Sequence, residues 1–387
     1  MRPLNDPRLF DPTPLDDQLG DLLERHAGPE ARPRRDDPRP EDYARRQHSY
    51  EVLNQLIAGG RWRALALAAE ATALETDARE ERALLKLWTY RALALVGMGQ
   101  HAAAARELRR LEAATAHAEL FRRAGRGRSP TVVWPFELRV LRARLPGLAH
   151  GDWRRAMERL AALGRAAARR AASGAASGAA SGGDSDLDRQ RAFRLELLLA
   201  GCAVRLRDAE LATGILARLA RAAPDDALLL SAAARLHLQL GGTAQAEALF
   251  VAAERLAGRD DELAQTNRAL YAVAAGRWDD ARALFAAVHA AHPDNIAAAN
   301  NAAVCDLYLG SPQAMLAALQ ALMAAAPAAA GTSEELVFNY CTGLDLHYDG
   351  PRLHAAKARK MAEVATWAGD GFATSAFKLP HHHQQQQ

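Results

Sequence analysis

Four arginines close together are the first candidates for binding chemistry. Arg122, Arg123, Arg126 and Arg128 fall within seven residues. Guanidinium groups pair with carboxylates and phosphates, so this segment suits an acidic protein surface or an anionic lipid headgroup. A solvated loop is the alternative interpretation. The glycines between these arginines do not make a nucleotide site, since the strand–loop–helix frame that would aim backbone amides at a phosphate is missing.

Three asparagines form the second candidate group. Asn267, Asn300 and Asn301 occupy positions that we expect on inner helices of a helical repeat. A side-chain amide there can hold an extended peptide through paired hydrogen bonds. It can equally cap a helix or bridge neighbouring helices. Asp306 stands where such repeats bury an apolar side chain, and it needs a partner if it is buried.

Signatures of catalysis are missing from the sequence. It contains no phosphate-binding GxxxxGK[ST] loop, no GxSxG elbow and no HExxH zinc motif. Cys202, Cys305 and Cys341 are odd in number and far apart, which argues against a disulfide framework and favours buried thiols. His289 and His292 have no second pair to complete a zinc site. We therefore predict a protein that is not an enzyme and that has no cofactor or metal.

Charge is distributed unevenly along the chain. The 387 residues carry a formal net charge of +3, which is too small to indicate nucleic-acid binding. Residues 101–170 contain sixteen arginines and six acids, whereas residues 227–350 contain six arginines and thirteen acids. Such an asymmetry suits two different partner surfaces, or it reflects solvated helix faces. With neither a secretory signal nor a long apolar run, the sequence predicts a cytoplasmic protein.

These residues are positioned by a repeat. Alanine- and leucine-rich sequence favours helices, and marker residues recur every 34 or 35 positions. That period is typical of the tetratricopeptide helix–turn–helix. The sequence predicts an all-α tetratricopeptide-repeat solenoid of about eight helical hairpins, starting near residues 46, 85, 137, 193, 227, 262, 296 and 334. The structural markers are Trp62, Trp153, Trp278, Gly241, Gly276, Gly310, Pro224, Pro293 and Pro327.

Each type of marker has a physical reason. A glycine at the end of the first helix of a pair supplies the positive φ of a tight cap. A proline after the second helix cannot continue it and so ends the repeat. A tryptophan just after the turn packs over the joint between helices, which is a structural role.

The domain prediction follows composition. Residues 1–40 are predicted to be disordered apart from a short helix at 15–23. Basic hairpins follow over 41–170, a flexible Ala/Ser/Gly loop over 171–188 and acidic repeats over 189–369. Residues 370–387 form a tail. We expect one continuous stack in preference to two swinging domains.

Specific segments resemble a known family. Residues 298–310 (AANNAAVCDLYLG), residues 334–346 (EELVFNYCTGLDL) and the terminal FKL at 377–379 are similar to subunit twelve of the trafficking protein particle (TRAPP) complex. Residues 133–139 (VWPFELR) resemble the same family's entry to a middle repeat. The resemblance runs in order from about residue 48 to residue 379, although Asp306 and the 171–188 spacer depart from the family's pattern.

The resemblance implies a non-catalytic subunit of a tether at early secretory membranes. The family works in endoplasmic-reticulum-to-Golgi transport and autophagy, within an assembly that exchanges nucleotide on a Rab GTPase through other subunits. It implies other TRAPP subunits as partners, the large subunit eleven first. Membrane contact would then be peripheral and made through the complex, at the Golgi or the intermediate compartment before it.

Two other classes remain open on sequence alone. A tetratricopeptide cochaperone grips acidic peptide tails with a set of basic and asparagine side chains. Asn267 and Asn301 fit such a clamp, but the chain has only four lysines and the seventh repeat's first helix has no basic residue. A ciliary or other trafficking scaffold is the remaining alternative.

Overall fold

A computed structural model describes residues 3–14, 17–28, 30, 39–124, 133–177 and 182–379, without the side chains of residues 117–124 and 174–185. These residues form α-helices and short 3₁₀ turns and include no strand, which confirms the all-α prediction. Contacts divide the chain into two compact units. Unit 1 comprises Met1–Leu15, Asp37–Ile215 and Gly369–Gly371, and unit 2 comprises Asp16–Asp36, Leu216–Ala368 and Phe372–Gln387.

Seventeen α-helices lie within the described residues. From the second onward their order allows eight consecutive pairs, and seven of these pack together in the described residues. In chain order they are α1 (Gln18–Ala27), α2 (Tyr50–Ala58), α3 (Trp62–Glu75), α4 (Glu81–Gly97), α5 (His101–Ala124), α6 (Phe136–His150), α7 (Trp153–Ser177), α8 (Gly182–Arg205), α9 (Ala209–Ala222), α10 (Ala227–Gln239), α11 (Thr243–Ala257), α12 (Glu262–Ala274), α13 (Trp278–Ala291), α14 (Ile296–Tyr308), α15 (Pro312–Ala325), α16 (Glu334–His347) and α17 (Gly350–Trp367).

The starts of the later pairs follow the period read from the sequence. Helices α10, α12, α14 and α16 begin at residues 227, 262, 296 and 334. Gly241, Gly276 and Gly310 follow the first helices of three pairs with φ of 80°, 71° and 81°, a conformation that glycine adopts without a steric penalty. Pro224, Pro293 and Pro327 follow the ends of α9, α13 and α15. The prolines therefore lie between successive hairpins, and the glycines lie between the two helices of one hairpin.

Tryptophans at the turns pack against glycines of neighbouring helices. Trp62 begins α3, and a Cβ on Gly97 would lie 2.5 Å from its ring. Trp153 begins α7, and a Cβ on Gly147 would lie 2.4 Å from its ring. Because real Cβ atoms do not approach so closely, these two glycines let the ring lie directly on the helix backbone.

Residues 3–14 are ordered in unit 1, where disorder was predicted; residues 31–38 of the predicted disordered segment lie outside the described part. Leu4, Leu9 and Phe10 are buried with the side chains of α3–α5. The Phe10 ring stacks on Trp88 with centroids 4.3 Å apart, and Trp88 Nε1 donates to the Leu4 carbonyl at 2.9 Å. Although this segment is rich in proline and aspartate, its three apolar side chains are buried against α4 and α5.

In unit 2 the first and last described segments pack together: α1 overlaps the short helix predicted at 15–23, whereas the residues after α17 are ordered where a tail was predicted. Leu19 and Leu23 of α1 join the core formed by α15–α17. After α17 a 3₁₀ turn at Thr374–Phe377 buries Phe377 completely. The predicted 370–387 tail is therefore structured as far as residue 379, and residues 380–387, with their histidines and glutamines, lie outside the described part.

The described parts of the 171–188 spacer are helical and not a loop. Helix α7 continues to Ser177 and α8 begins at Gly182, with residues 178–181 outside the described part. Alanine is the strongest helix former, which outweighs the interspersed Ser and Gly. Arg170 donates to both carboxylate oxygens of Asp188 at 2.9 and 3.1 Å, and this hydrogen bonding lowers the pKa of Asp188. The division between the units falls within α9 and not in this spacer.

Candidate functional site

Asn267 lies on α12 with all of its side-chain polar atoms engaged. Its Nδ2 donates to Ser231 Oγ at 2.7 Å, and its Oδ1 accepts from Arg235 Nε and Nη2 at 3.3 and 3.1 Å. Ser231 and Arg235 belong to α10, and Asn267 is only 1% exposed. Burial lowers the pKa of the Arg235 guanidinium, and the amide oxygen compensates part of that desolvation. This asparagine bridges two first helices, which was the structural alternative to peptide binding.

The other two asparagines differ in their environment. Asn300 on α14 is buried, and its Oδ1 accepts from Asn339 Nδ2 of α16 at 2.9 Å. Asn301 is half-buried beside it. The structure therefore does not bring the three asparagines into one exposed set. Of the three, Asn301 retains the access that a peptide contact requires.

The four candidate arginines can be placed only in part. Arg122 and Arg123 belong to the last turn of α5, where side chains are not described, and Arg126 and Arg128 lie outside the described residues. Their role in binding an anionic partner therefore stays a prediction.

Asp306, which had no partner on sequence grounds, pairs with an arginine of the preceding helix. Arg282 Nε on α13 lies 2.6 Å from Asp306 Oδ1. The Asp306 side chain is 15% exposed and that of Arg282 is 54% exposed. The acid at this repeat position thus lies at the edge of the core, where the Arg282 guanidinium pairs with it.

An aromatic pair on the surface of unit 2 joins the same two helices as that ion pair. Trp278 at the start of α13 and Tyr308 at the end of α14 stack with centroids 4.0 Å apart and planes 4° apart. Tyr308 is 62% exposed. Tryptophan, tyrosine and arginine are the residues most enriched among interface hot spots. We name Trp278, Arg282, Asp306 and Tyr308 the aromatic patch; sequence analysis missed it, because it assigned Trp278 a structural role and did not consider Tyr308.

A groove of about 500 Å³ lies between α11, α12 and α13 in unit 2. Arg268 Nη2 lies 3.0 Å from Glu254 Oε1 at its rim, and a hydrogen bond from Arg268 lowers the pKa of Glu254. Tyr271 donates its hydroxyl to Glu247 at 3.1 Å. The polar groups at the rim are therefore paired with each other. The groove itself is lined by apolar side chains such as Phe250.

The three cysteine thiols are buried, and burial suppresses their ionisation to thiolate. Cys202, Cys305 and Cys341 are all free and buried. Burial raises the pKa of the Cys341 thiol to about 11, so almost none of it is thiolate at neutral pH. In the described part of the chain, no group of three or more His, Cys, Asp or Glu side chains is arranged to hold a metal ion. Nor does that part contain a helix with the length and apolar character needed to cross a membrane.

Comparison with known proteins gives one consistent similarity. The chain is 27% identical over 368 residues to "Trafficking protein particle complex subunit 12" of Mus musculus, covering 86% of this chain and 45% of the relative. The relative of the same description from Homo sapiens is also 27% identical over 368 residues and is covered to 49%. The resemblance to TRAPP subunit twelve is confirmed. The chain spans about half of the length of these relatives, and no protein-family model matches it.

The matches to solved structures are weak. A tetratricopeptide repeat protein from Parabacteroides merdae is 13% identical, with a TM-score of 0.44 over 76% of this chain and 96% of its own. Yeast Tom70 is 12% identical, with a TM-score of 0.38 over 84% of this chain and 80% of its own. Because both TM-scores lie below 0.5, the fold class rests on the helical pairs themselves.

Proposed function

We propose that this chain is a non-catalytic scaffold subunit of a trafficking protein particle complex. The observation that carries the proposal is the similarity to subunit twelve over 86% of the chain. The fold supports it, since stacked hairpins present long helical surfaces for other proteins to bind. A role in the whole complex is a proposal also because only about half of the relatives' length is matched.

The family resemblance supplies the finer parts of the proposal. The chain would contact the large subunit eleven and act in transport from the endoplasmic reticulum to the Golgi and in autophagy. The complex would exchange nucleotide on a Rab GTPase through its other subunits. The chain would be cytoplasmic and would reach early secretory membranes peripherally, through the complex.

The aromatic patch is the place in unit 2 where we propose that a partner subunit docks. Tyr308 presents most of its surface to solvent on a rigid stacked base, so it can bury a large area without losing much conformational freedom. Arg282 adds a guanidinium whose charge is already balanced by Asp306. A stable complex buries about 800 Å² on each partner, which a surface centred on such a pair can provide.

Affinity purification of the tagged full chain from native lysate, followed by sizing and mass spectrometry, tests the proposal. We expect TRAPP subunits in stoichiometric amounts within one large particle. Recovery of a free monomer, or of chaperones alone, would contradict membership of the complex.

Two variants then test the aromatic patch. Tyr308→Glu should reduce recovery of the partner, whereas Leu228→Glu, at an apolar residue of similar exposure (70% against 62%), should leave it intact. Equal recovery with both variants would remove the patch from the interface while leaving the subunit assignment standing. Thermal melts of both variants show whether either one has lost its fold.

A further inference from the structure

Unit 1 contains a pocket of about 230 Å³ between α5, α6 and α7. Its floor is apolar and includes Leu108 and Leu145. Four arginines surround it: Arg109, Arg142, Arg155 and Arg159. We name this site the arginine pocket. It is separate in sequence from the Arg122–Arg128 segment, and its side chains are all described.

The positive charge of the arginine pocket is only partly compensated. Arg142 Nη2 contacts both carboxylate oxygens of Glu112. Asp152 accepts the backbone N–H of Arg155 at 3.0 Å and so caps α7. Within the described residues, no carboxylate lies within ion-pair distance of the side chains of Arg109, Arg155 or Arg159. Three of the four guanidinium groups are therefore available for an anion.

The arginines also lie close enough to repel each other. Arg159 Nη1 donates to the carbonyl oxygen of Arg142 at 3.5 Å, which brings the Arg159 guanidinium to the backbone of α6. Burial lowers the pKa of Arg159, the charges of Arg142 and Arg155 lower it further, and the charges of Glu112 and Asp152 partly oppose this fall. A bound negative charge would relieve this repulsion. The clustered charge is thus better satisfied with an anionic ligand than without one.

The lining decides what kind of anion fits. A polyphosphate or an inositol phosphate would place no apolar group on the floor formed by Leu108 and Leu145. The volume is below the ~300–1,000 Å³ typical of small-molecule sites, and it is suited to a single side chain. An apolar side chain on the floor with carboxylates on either side matches both features.

We propose that the arginine pocket binds an acidic segment of a partner protein. One apolar side chain of that segment packs on Leu108 and Leu145, and flanking Glu or Asp side chains pair with Arg155, Arg159 and Arg109. The excess of arginine over residues 101–170 attracts such a segment from a distance. This inference goes beyond the proposed complex and stands on the pocket's own lining.

The test uses the full chain and fluorescence anisotropy. The probe is a labelled nonapeptide of glutamates with one central leucine, and the same peptide with glutamines is its control. We expect the glutamate peptide to bind, the glutamine peptide not to bind, and the affinity to fall as salt increases. No binding of the glutamate peptide at millimolar concentration would overturn the proposal.

Paired variants locate the binding on α7. Arg155→Ser with Arg159→Ser should weaken binding about tenfold, the combined effect of two exposed charge pairs. Arg154→Ser with Arg165→Ser removes the same charge from exposed positions of the same helix outside the pocket, and should change the affinity less than about twofold. Equal weakening by both pairs would mean diffuse attraction and would refute a defined site.

A third variant changes affinity in the opposite direction, which misfolding cannot imitate. Glu112→Gln removes the carboxylate that holds Arg142 and frees a fourth guanidinium, so binding should strengthen severalfold. Unchanged or weaker binding would contradict the pocket. Vesicles containing phosphatidylinositol phosphates serve as the competing probe: if they bind through Arg155 and Arg159 while the peptide does not, the ligand is a lipid and the protein-segment proposal is wrong.

Discussion

Replacing Arg91 by methionine should destabilise unit 1 by several kcal/mol. Arg91 lies on α4 with none of its surface exposed. Its Nε and Nη2 donate to the two Glu107 carboxylate oxygens at 3.2 and 2.8 Å, and its Nη1 lies 3.0 Å from Glu70 Oε2. It also donates to the Asp11 carbonyl at 2.6 Å and to Thr13 Oγ1 at 2.5 Å. One guanidinium therefore joins three helices and the amino-terminal segment.

The magnitude follows from what the substitution leaves behind. Methionine fills much of the same volume, but Glu107, which is 1% exposed, loses its counter-charge. Removing one partner of a buried ion pair costs about 3–5 kcal/mol. Part of that penalty is avoidable if Glu107 is also made apolar, so Arg91→Met with Glu107→Leu should be more stable than Arg91→Met alone.

Dependence on pH gives a second readout. Burial raises the pKa of Glu70, the charge of Arg91 opposes this rise, and that of Glu107 adds to it. Without Arg91 the pKa of Glu70 rises further. A carboxyl group with a raised pKa in the folded state binds more protons than it does when unfolded, so stability falls as pH increases through that range. The loss caused by Arg91→Met should thus be larger at pH 7 than at pH 5.

Native-state hydrogen exchange followed by mass spectrometry measures the effect locally. This method suits a chain with two units, where a single unfolding free energy is poorly defined. Amides of α4 and α5 should lose about 3–5 kcal/mol of protection. Arg189→Met is the matched control, since Arg189 is 68% exposed in its pair with Asp186 and should cost less than about 0.5 kcal/mol. A loss for Arg91→Met below about 1 kcal/mol would refute this account of the buried pair.

Three further outcomes are expected. Arg207→Gly should stabilise the protein by about 0.5–1 kcal/mol in thermal or urea unfolding, because Arg207 has a φ of 57° at the position where the next repeats have glycine; unchanged or lower stability would contradict strain at this turn. Asn267→Ala should cost about 1–3 kcal/mol by leaving Ser231 and Arg235 without their partner, and a smaller loss would mean that water replaces the amide. Ellman's reagent should label Cys341 only after unfolding, since burial raises the pKa of this thiol to about 11; rapid labelling of the folded chain would contradict that burial.

The repeat was predictable because its signals are redundant. Small residues, turn glycines and terminating prolines mark different parts of each hairpin, so the first helices starting at residues 227, 262, 296 and 334 could be read without any contact information. Asn339, by contrast, reaches Asn300 from 39 residues away. Such a pairing depends on how one hairpin sits on the next, which a period does not specify.

Order in the amino-terminal segment escaped prediction for a different reason. Disorder is predicted from the average composition of a segment, and residues 3–13 are rich in proline and charged residues. Three apolar residues without helical or strand periodicity carry no signal of their own. Their burial depends on a surface formed by α3–α5, together with Arg91, whose guanidinium binds the Asp11 carbonyl.

Whether a polar side chain in a repeat protein binds a partner depends on how much of its hydrogen-bonding capacity the fold already uses. The amide of Asn267 looks like a binding group in the sequence and the carboxylate of Asp306 lacks a partner there, yet each is held by an arginine of a neighbouring helix. A ligand at Asn267 would have to replace good internal contacts, which reduces its affinity by what those contacts contribute. Arg155 and Arg159 differ, because within the described residues neither side chain forms an ion pair, and Arg159 is close to the charges of Arg142 and Arg155 as well as to those of Glu112 and Asp152. A ligand there would relieve repulsion and replace only the long hydrogen bond from Arg159 to the Arg142 carbonyl, so in these two units we expect recognition of acidic segments at the arginine pocket and not at the buried asparagines.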